Sequence, residues 1–157
     1  MKNGQVQHIF IYILTIVIVG LILLMGYKVI GNTINQGCEV EHATFTSQIL
    51  GLIEKYDTFG SFHVEDIAAP CDFEKICFVD KTSFGTNIDS GYAIMDNSVK
   101  DGIEKNIFLI GETTEPVGYV EKLEVADPYY VCINSTAGQF KVGFRGTGKT
   151  TQIEAVS

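Results

Sequence analysis

Residues 9–27 read IFIYILTIVIVGLILLMGY, nineteen positions without a charged side chain, and no other feature restricts the fold as strongly. Wound as an α-helix at about 1.5 Å per residue, the run reaches roughly 28 Å, close to the roughly 30 Å hydrocarbon thickness of a bilayer. It is apolar on every side. A soluble core able to wrap it would need more surrounding chain than a sequence of 157 residues supplies. Tyr12, Tyr27 and Lys28 fall where interfacial anchors belong, Lys28 with a stem long enough to reach the headgroups. A cleaved secretion signal is the rival reading. Its apolar region normally spans about 7 to 15 residues and ends at an Ala-x-Ala-like site, which VIGNTINQG after Lys28 does not supply. The segment therefore reads as a single transmembrane helix with the lipid bilayer as its partner.

Flanking charge does little to orient it, because Lys2 and the amino terminus stand against Lys28 alone. The cysteines do more. Cys38, Cys71, Cys77 and Cys132 all follow the apolar run, an even number in a small domain, as expected of disulfides formed in an oxidising compartment. This reading puts the amino terminus in the cytoplasm and residues 31–157 outside the cell membrane. The cysteine spacings of 33, 6 and 55 residues contain no Cys-x-x-Cys, and His42 and His63 stand apart, so no metal site is expected. Four cysteines allow three pairings. Cys77 and Cys132 lie in the strand-like runs KICFVD and YYVCIN, whose apolar sequences suit neighbouring buried strands; that pairing leaves Cys38 and Cys71 to pair or to stay free.

The Gly- and Asn-rich stretch GNTINQG, residues 31–37, reads as a flexible joint or a kink. It separates a leader and membrane helix, residues 1–30, from an extracytoplasmic domain, residues 38–157. That domain opens on a second helical pattern: Phe45, Ile49, Leu52, Ile53 and Tyr56 share one face at helical spacing, Glu39 and Glu41 precede them, and Lys55 closes the run. Gly51 interrupts it at a cost of up to about 1 kcal/mol relative to alanine. From Gly60 the period shortens to two. SFHVEDIA, KICFVD, NIFLIG and GYVEKLEV are strand-like, and YYVCIN with QFKVGFR forms a hairpin across residues 135–138. DKTSFGTNIDSG reads as a loop and YAIMDNSVKDGIEK as carrying a short helix. The expected fold is α+β: an amino-terminal transmembrane helix, then an amphipathic helix packed on one face of a mostly antiparallel β-sheet.

Residues 31–157 hold 9 basic and 19 acidic residues, a net charge of −10, with Arg145 the single arginine, so nucleic acid is not expected as a partner. Nine Phe and five Tyr in the same stretch suffice for a core. Residues 143–150, GFRGTGKT, satisfy the phosphate-loop pattern through Gly143, Gly148, Lys149 and Thr150. Seven residues follow, too few for the helix whose amino terminus holds the phosphates, so a polar terminal turn is expected in place of nucleotide binding. Ser61, His63 and Glu65 alternate along one predicted strand, but neighbours on one strand face stand roughly 6.5 to 7 Å apart, beyond the reach of a base and its nucleophile. No catalytic residue, cofactor or enzymatic activity is expected. Asn134-Ser135-Thr136 is an N-glycosylation sequon placed at the predicted hairpin turn.

A polar head with Lys2, then Gly4-Gln5, an unbroken apolar helix, a helical continuation and a β-rich acidic domain: this order resembles archaeal type IV pilin-like proteins, including those with a class III signal peptide. In its IFIYIL anchor the chain is also similar to archaeal single-pass membrane proteins. The pilin resemblance implies cleavage of a short leader between Gly4 and Gln5 and packing of the apolar helices into a filament core or other homo-oligomer. The chain departs from the family pattern in having one basic residue before that point and Ile9 where the family usually has a glutamate. The function expected is a non-enzymatic, membrane-anchored surface protein, a pilin-like structural or assembly subunit. The alternative is a single-pass anchored binding or accessory domain that does not polymerise.

Overall fold

The computed structural model describes residues 3–71 and 73–156, and of residues 3–10 and 29–36 the backbone alone. It contains two compact units, Met1–Val40 and Glu41–Ser157. Helix α1, Asn3–Lys55, supplies the first unit and the opening residues of the second. The rest of the second unit comprises strands β1 (Phe62–Ala68), β2 (Lys75–Val79), β3 (Ile107–Ile110), β4 (Thr114–Gly118), β5 (Leu123–Glu124), β6 (Tyr130–Thr136), β7 (Gln139–Gly146) and β8 (Thr151–Ala155). A 3₁₀ turn, Lys81–Ser83, and helix α2, Ala93–Lys100, lie between β2 and β3.

In the first unit, α1 includes Ile11–Lys28, eighteen residues of mean hydropathy 2.2 with none of the window buried. Thr15 turns its hydroxyl back onto the carbonyls of Ile11 and Tyr12, both at 2.9 Å, so this polar side chain is satisfied inside the helix. Residues 31–37, where a joint or kink is expected, are α-helical along their backbone. Gly4 and Gln5 fall in the part of α1 whose side chains are outside the described residues.

In the second unit, residues 41–55 of α1 bury the face the spacing predicts. Phe45, Ile49, Ile53 and, just past the helix, Tyr56 are buried, with Leu52 at the margin. They pack with Ile76, Phe78, Ile107, Leu109 and Ile133 of β2, β3 and β6, and with Phe140, Val142 and Phe144 of β7. The opposite face of the same strands carries Cys77, Val79, Phe108 and Ile110, covered by Met95 and Val99 of α2. The continuous apolar runs KICFV and IFLI are thereby explained: successive side chains point to opposite faces, and both faces are covered.

The sheet runs β4-β3-β2-β6-β7-β8-β5, with β1 also paired to β7. All pairings are antiparallel except β5 with β8. The fold is thus α+β with a mostly antiparallel open sheet. Three details differ from the sequence expectation. GYVEKLEV is not one strand: its Gly118 closes β4 and pairs with Ile107, and after a break Leu123 and Glu124 form β5. The β6–β7 turn is the two residues Ala137 and Gly138, both at positive φ, and β6 and β7 pair through just Ser135 with Phe140 and Thr136 with Gln139. The carboxy-terminal residues form β8, a strand whose alternation is too polar to declare itself without its partner β7.

Candidate functional site

The largest chemically distinctive surface is the apolar part of α1. From Ile11 to Met25 every large apolar side chain is exposed, Leu24 to 71 %. Exposed apolar patches on soluble monomers rarely exceed a few hundred Å², and a helix apolar all round has no face to offer water. Gly20 and Gly26 have no atom within 4 Å of a built Cβ, which leaves the surface open beside them. The arrangement can hold the chain in lipid or against other apolar helices. Length and composition fit a membrane span, and near the amino terminus they fit a secretion signal equally well.

A disulfide fastens the second unit. Cys77 on β2 and Cys132 on β6 are directly opposite in register, with Cα atoms 4.1 Å apart, and are joined beneath α2. Cys38 and Cys71 are disulfide-bonded too, and none of the cysteines is free. Two disulfides belong to an oxidising, extracytoplasmic compartment.

The triad-like residues take separate structural roles. Ser61 donates to the carbonyl of Thr58 at 2.7 Å. His63 stacks on the Tyr56 ring with centroids 4.2 Å apart. Glu65 accepts from the Tyr56 hydroxyl, which in turn accepts from Lys55 at 3.2 Å. His63 and Glu65 of β1 therefore clasp Tyr56 at the end of α1, a partner that strand spacing could not reveal.

Residues 143–150 form the β7–β8 hairpin. Four of its amides are occupied within the unit: Gly146 donates to the Ser61 carbonyl, Thr147 to Thr150, Gly148 to Asp57 and Thr150 to the Thr147 hydroxyl. The Thr150 hydroxyl donates to Glu124 at 2.6 Å. The strand β8 follows where a phosphate loop needs a helix.

Electrostatic shifts come from surface pairs. Arg145 lies 2.6 Å from Glu154 and, by hydrogen bonding, holds its carboxyl below the usual glutamate range while its own guanidinium is pushed up. Lys122 is raised by its hydrogen bond to Asp57, and Lys75 by its hydrogen bond to the Tyr92 hydroxyl. Among the described residues no three His, Cys, Asp or Glu side chains converge as metal ligands. His42 sits against Phe73 and 3.8 Å from Glu115, far along the chain and the fold from His63 on Tyr56.

Two of the concave regions of the second unit draw on several elements. One, of about 590 Å³, is open and lined by Cys71, Phe73, Lys75, Glu112, Asn134 and Ser135. The other, of about 260 Å³, is lined by Asp80, Thr82, Leu123, Val125, Tyr129 and Thr150. Asp80 is buried, and the sequence marks it only weakly. It sits in DKTS, and only an Asp followed two residues later by Thr hinted at a local cap. Asn134 is exposed on β6, ahead of the turn rather than in it. No protein-family model, curated protein or solved structure matches the chain.

Proposed function

We propose that the chain is a non-enzymatic, membrane-anchored surface protein of pilin-like build, a structural or assembly subunit whose α1 contacts lipid and the α1 of further copies. The supporting observation is that one α-helix, α1, carries both a fully exposed apolar surface over Ile11–Lys28 and the buried face Phe45, Ile49 and Ile53 of a disulfide-fastened domain. The amino terminus is cytoplasmic and residues 31–157 lie outside, in keeping with the disulfides.

Membranes carrying the intact protein test this reading. Single cysteines at Ile18 or Leu21, crosslinked in the native membrane, should give dimers and higher ladders of the chain itself. Electron microscopy of the extracted material should show filaments or regular oligomers, and mass spectrometry should find an amino terminus at Gln5. Monomers alone, or crosslinks to an unrelated protein, would favour an anchored binding or accessory domain and refute assembly.

A further inference from the structure

We propose that Asn134 carries an N-linked oligosaccharide. The chain has seven asparagines, and Asn134 alone is followed by the x-Ser/Thr pattern that an oligosaccharyltransferase reads. Its position in the fold suits the modification. Asn134 is exposed on β6, while the preceding Ile133 is buried in the core, so the asparagine points away from it. Thr136, the hydroxyl residue of the sequon, is exposed as well, and the two-residue turn at Ala137 and Gly138 follows at once. The ladder on either side of Asn134 is held by backbone bonds, Ser135 N to the Glu74 carbonyl among them, and these do not use the asparagine amide.

The open cavity of about 590 Å³ beside Asn134 gives the first sugar a seat. Its lining mixes the Phe73 ring with the charged groups of Lys75 and Glu112, a combination suited to a sugar's apolar faces and hydroxyl edges. Asn134 also lies two residues after Cys132 and opposite Lys75 in the register that the Cys77–Cys132 bridge fixes. The sequon therefore belongs to the part of the molecule that matures in an oxidising compartment, the side on which lipid-linked sugar donors are used.

The transfer is balanced without any oxidant or reductant. The Asn134 side-chain nitrogen bonds to the anomeric carbon of an oligosaccharide carried on a polyprenyl phosphate. The bond from that carbon to the phosphate oxygen breaks, the phosphate leaves with the electron pair, and the amide gives up one proton. The co-reactant is the lipid-linked oligosaccharide and the catalyst a membrane transferase.

This inference rests on the outward placement of residues 31–157 but not on assembly. The test is intact and peptide mass spectrometry of the full chain purified from membranes of the cells that make it, with variants produced in the same cells. The peptide containing Asn134 should carry one oligosaccharide, and the peptides containing Asn87 and Asn106 none. Asn134→Gln and Thr136→Ala should each remove the increment, while Ser135→Ala should keep it, with the Cys77–Cys132 bridge intact in all three by non-reducing analysis. An unmodified Asn134 in disulfide-bonded protein overturns the inference and leaves the placement standing; free thiols throughout overturn both.

Discussion

Asp80 is 6 % exposed and satisfies three donors: Thr82 N at 2.8 Å, the Thr82 hydroxyl at 2.7 Å and Val125 N at 3.0 Å. One carboxyl group thus caps the 3₁₀ turn after β2 and fixes the chain beyond β5. Asp80→Ala should cost roughly 2 to 3 kcal/mol in urea unfolding, because it strands the buried Val125 amide and removes the cap on Thr82 rather than merely deleting contacts. Two glycines give opposite expectations. A Cβ at Gly146 would lie 2.0 Å from the Thr58 carbonyl oxygen, whereas one at Gly51 meets nothing within 4 Å. Gly146→Ala should lose about 1 to 3 kcal/mol or more, and Gly51→Ala, in α1, should gain up to about 1 kcal/mol; thermal unfolding of the two variants would show shifts of opposite sign.

The central strands β2, β3 and β6 are the element on which the domain depends, since their two faces hold two different clusters. The Cys77–Cys132 bridge ties β2 to β6 across 55 residues of chain. In the chain-entropy account a loop of that length stabilises by about 4 kcal/mol, so the double variant Cys77→Ala, Cys132→Ala should unfold at markedly lower denaturant, by about 2 to 4 kcal/mol. The β7–β8 pair carries the Arg145–Glu154 ion pair on its outer side. Because the folded carboxyl is depressed, its contribution is present above the ordinary glutamate range and is lost as pH falls through the lower folded value. Both side chains are well exposed, so solvent screening keeps the effect small. Stability measured at pH 7 and pH 3 should therefore fall slightly less in Glu154→Gln than in the parent.

At the scale of the whole molecule, the apolar surface of α1 and the net charge of −10 over residues 31–157 demand different solvents. The protein should partition with membranes and require detergent for extraction. Leu21→Asp, placing a carboxylate at the middle of the apolar window, costs roughly 2.5 to 3.5 kcal/mol on insertion scales and should shift protein from the membrane to the soluble or degraded fraction. Full membrane retention of that variant would argue against Ile11–Lys28 as the span.

How much of this was legible beforehand follows from the range of the interactions. The apolar run, the helical face Phe45, Ile49 and Ile53, and the strands around Cys77, Phe108 and Phe140 were readable, because burial repeats with the local period of the backbone. The sequence also singled out Cys77 with Cys132, since both lie in doubly apolar strands; their register came from the fold. Illegible were β8, which is defined by its pairing with β7, Asp80, whose Val125 partner lies 45 residues on, and the use of His63 and Glu65 against the Tyr56 ring and hydroxyl. Ordering along one stretch of chain thus determined which segments are helix, strand or membrane-length. Only tertiary structure decided that α2 closes the second face of the sheet, that GFRGTGKT is a hairpin, and which polar groups are satisfied, because these depend on segments that meet in space rather than in sequence.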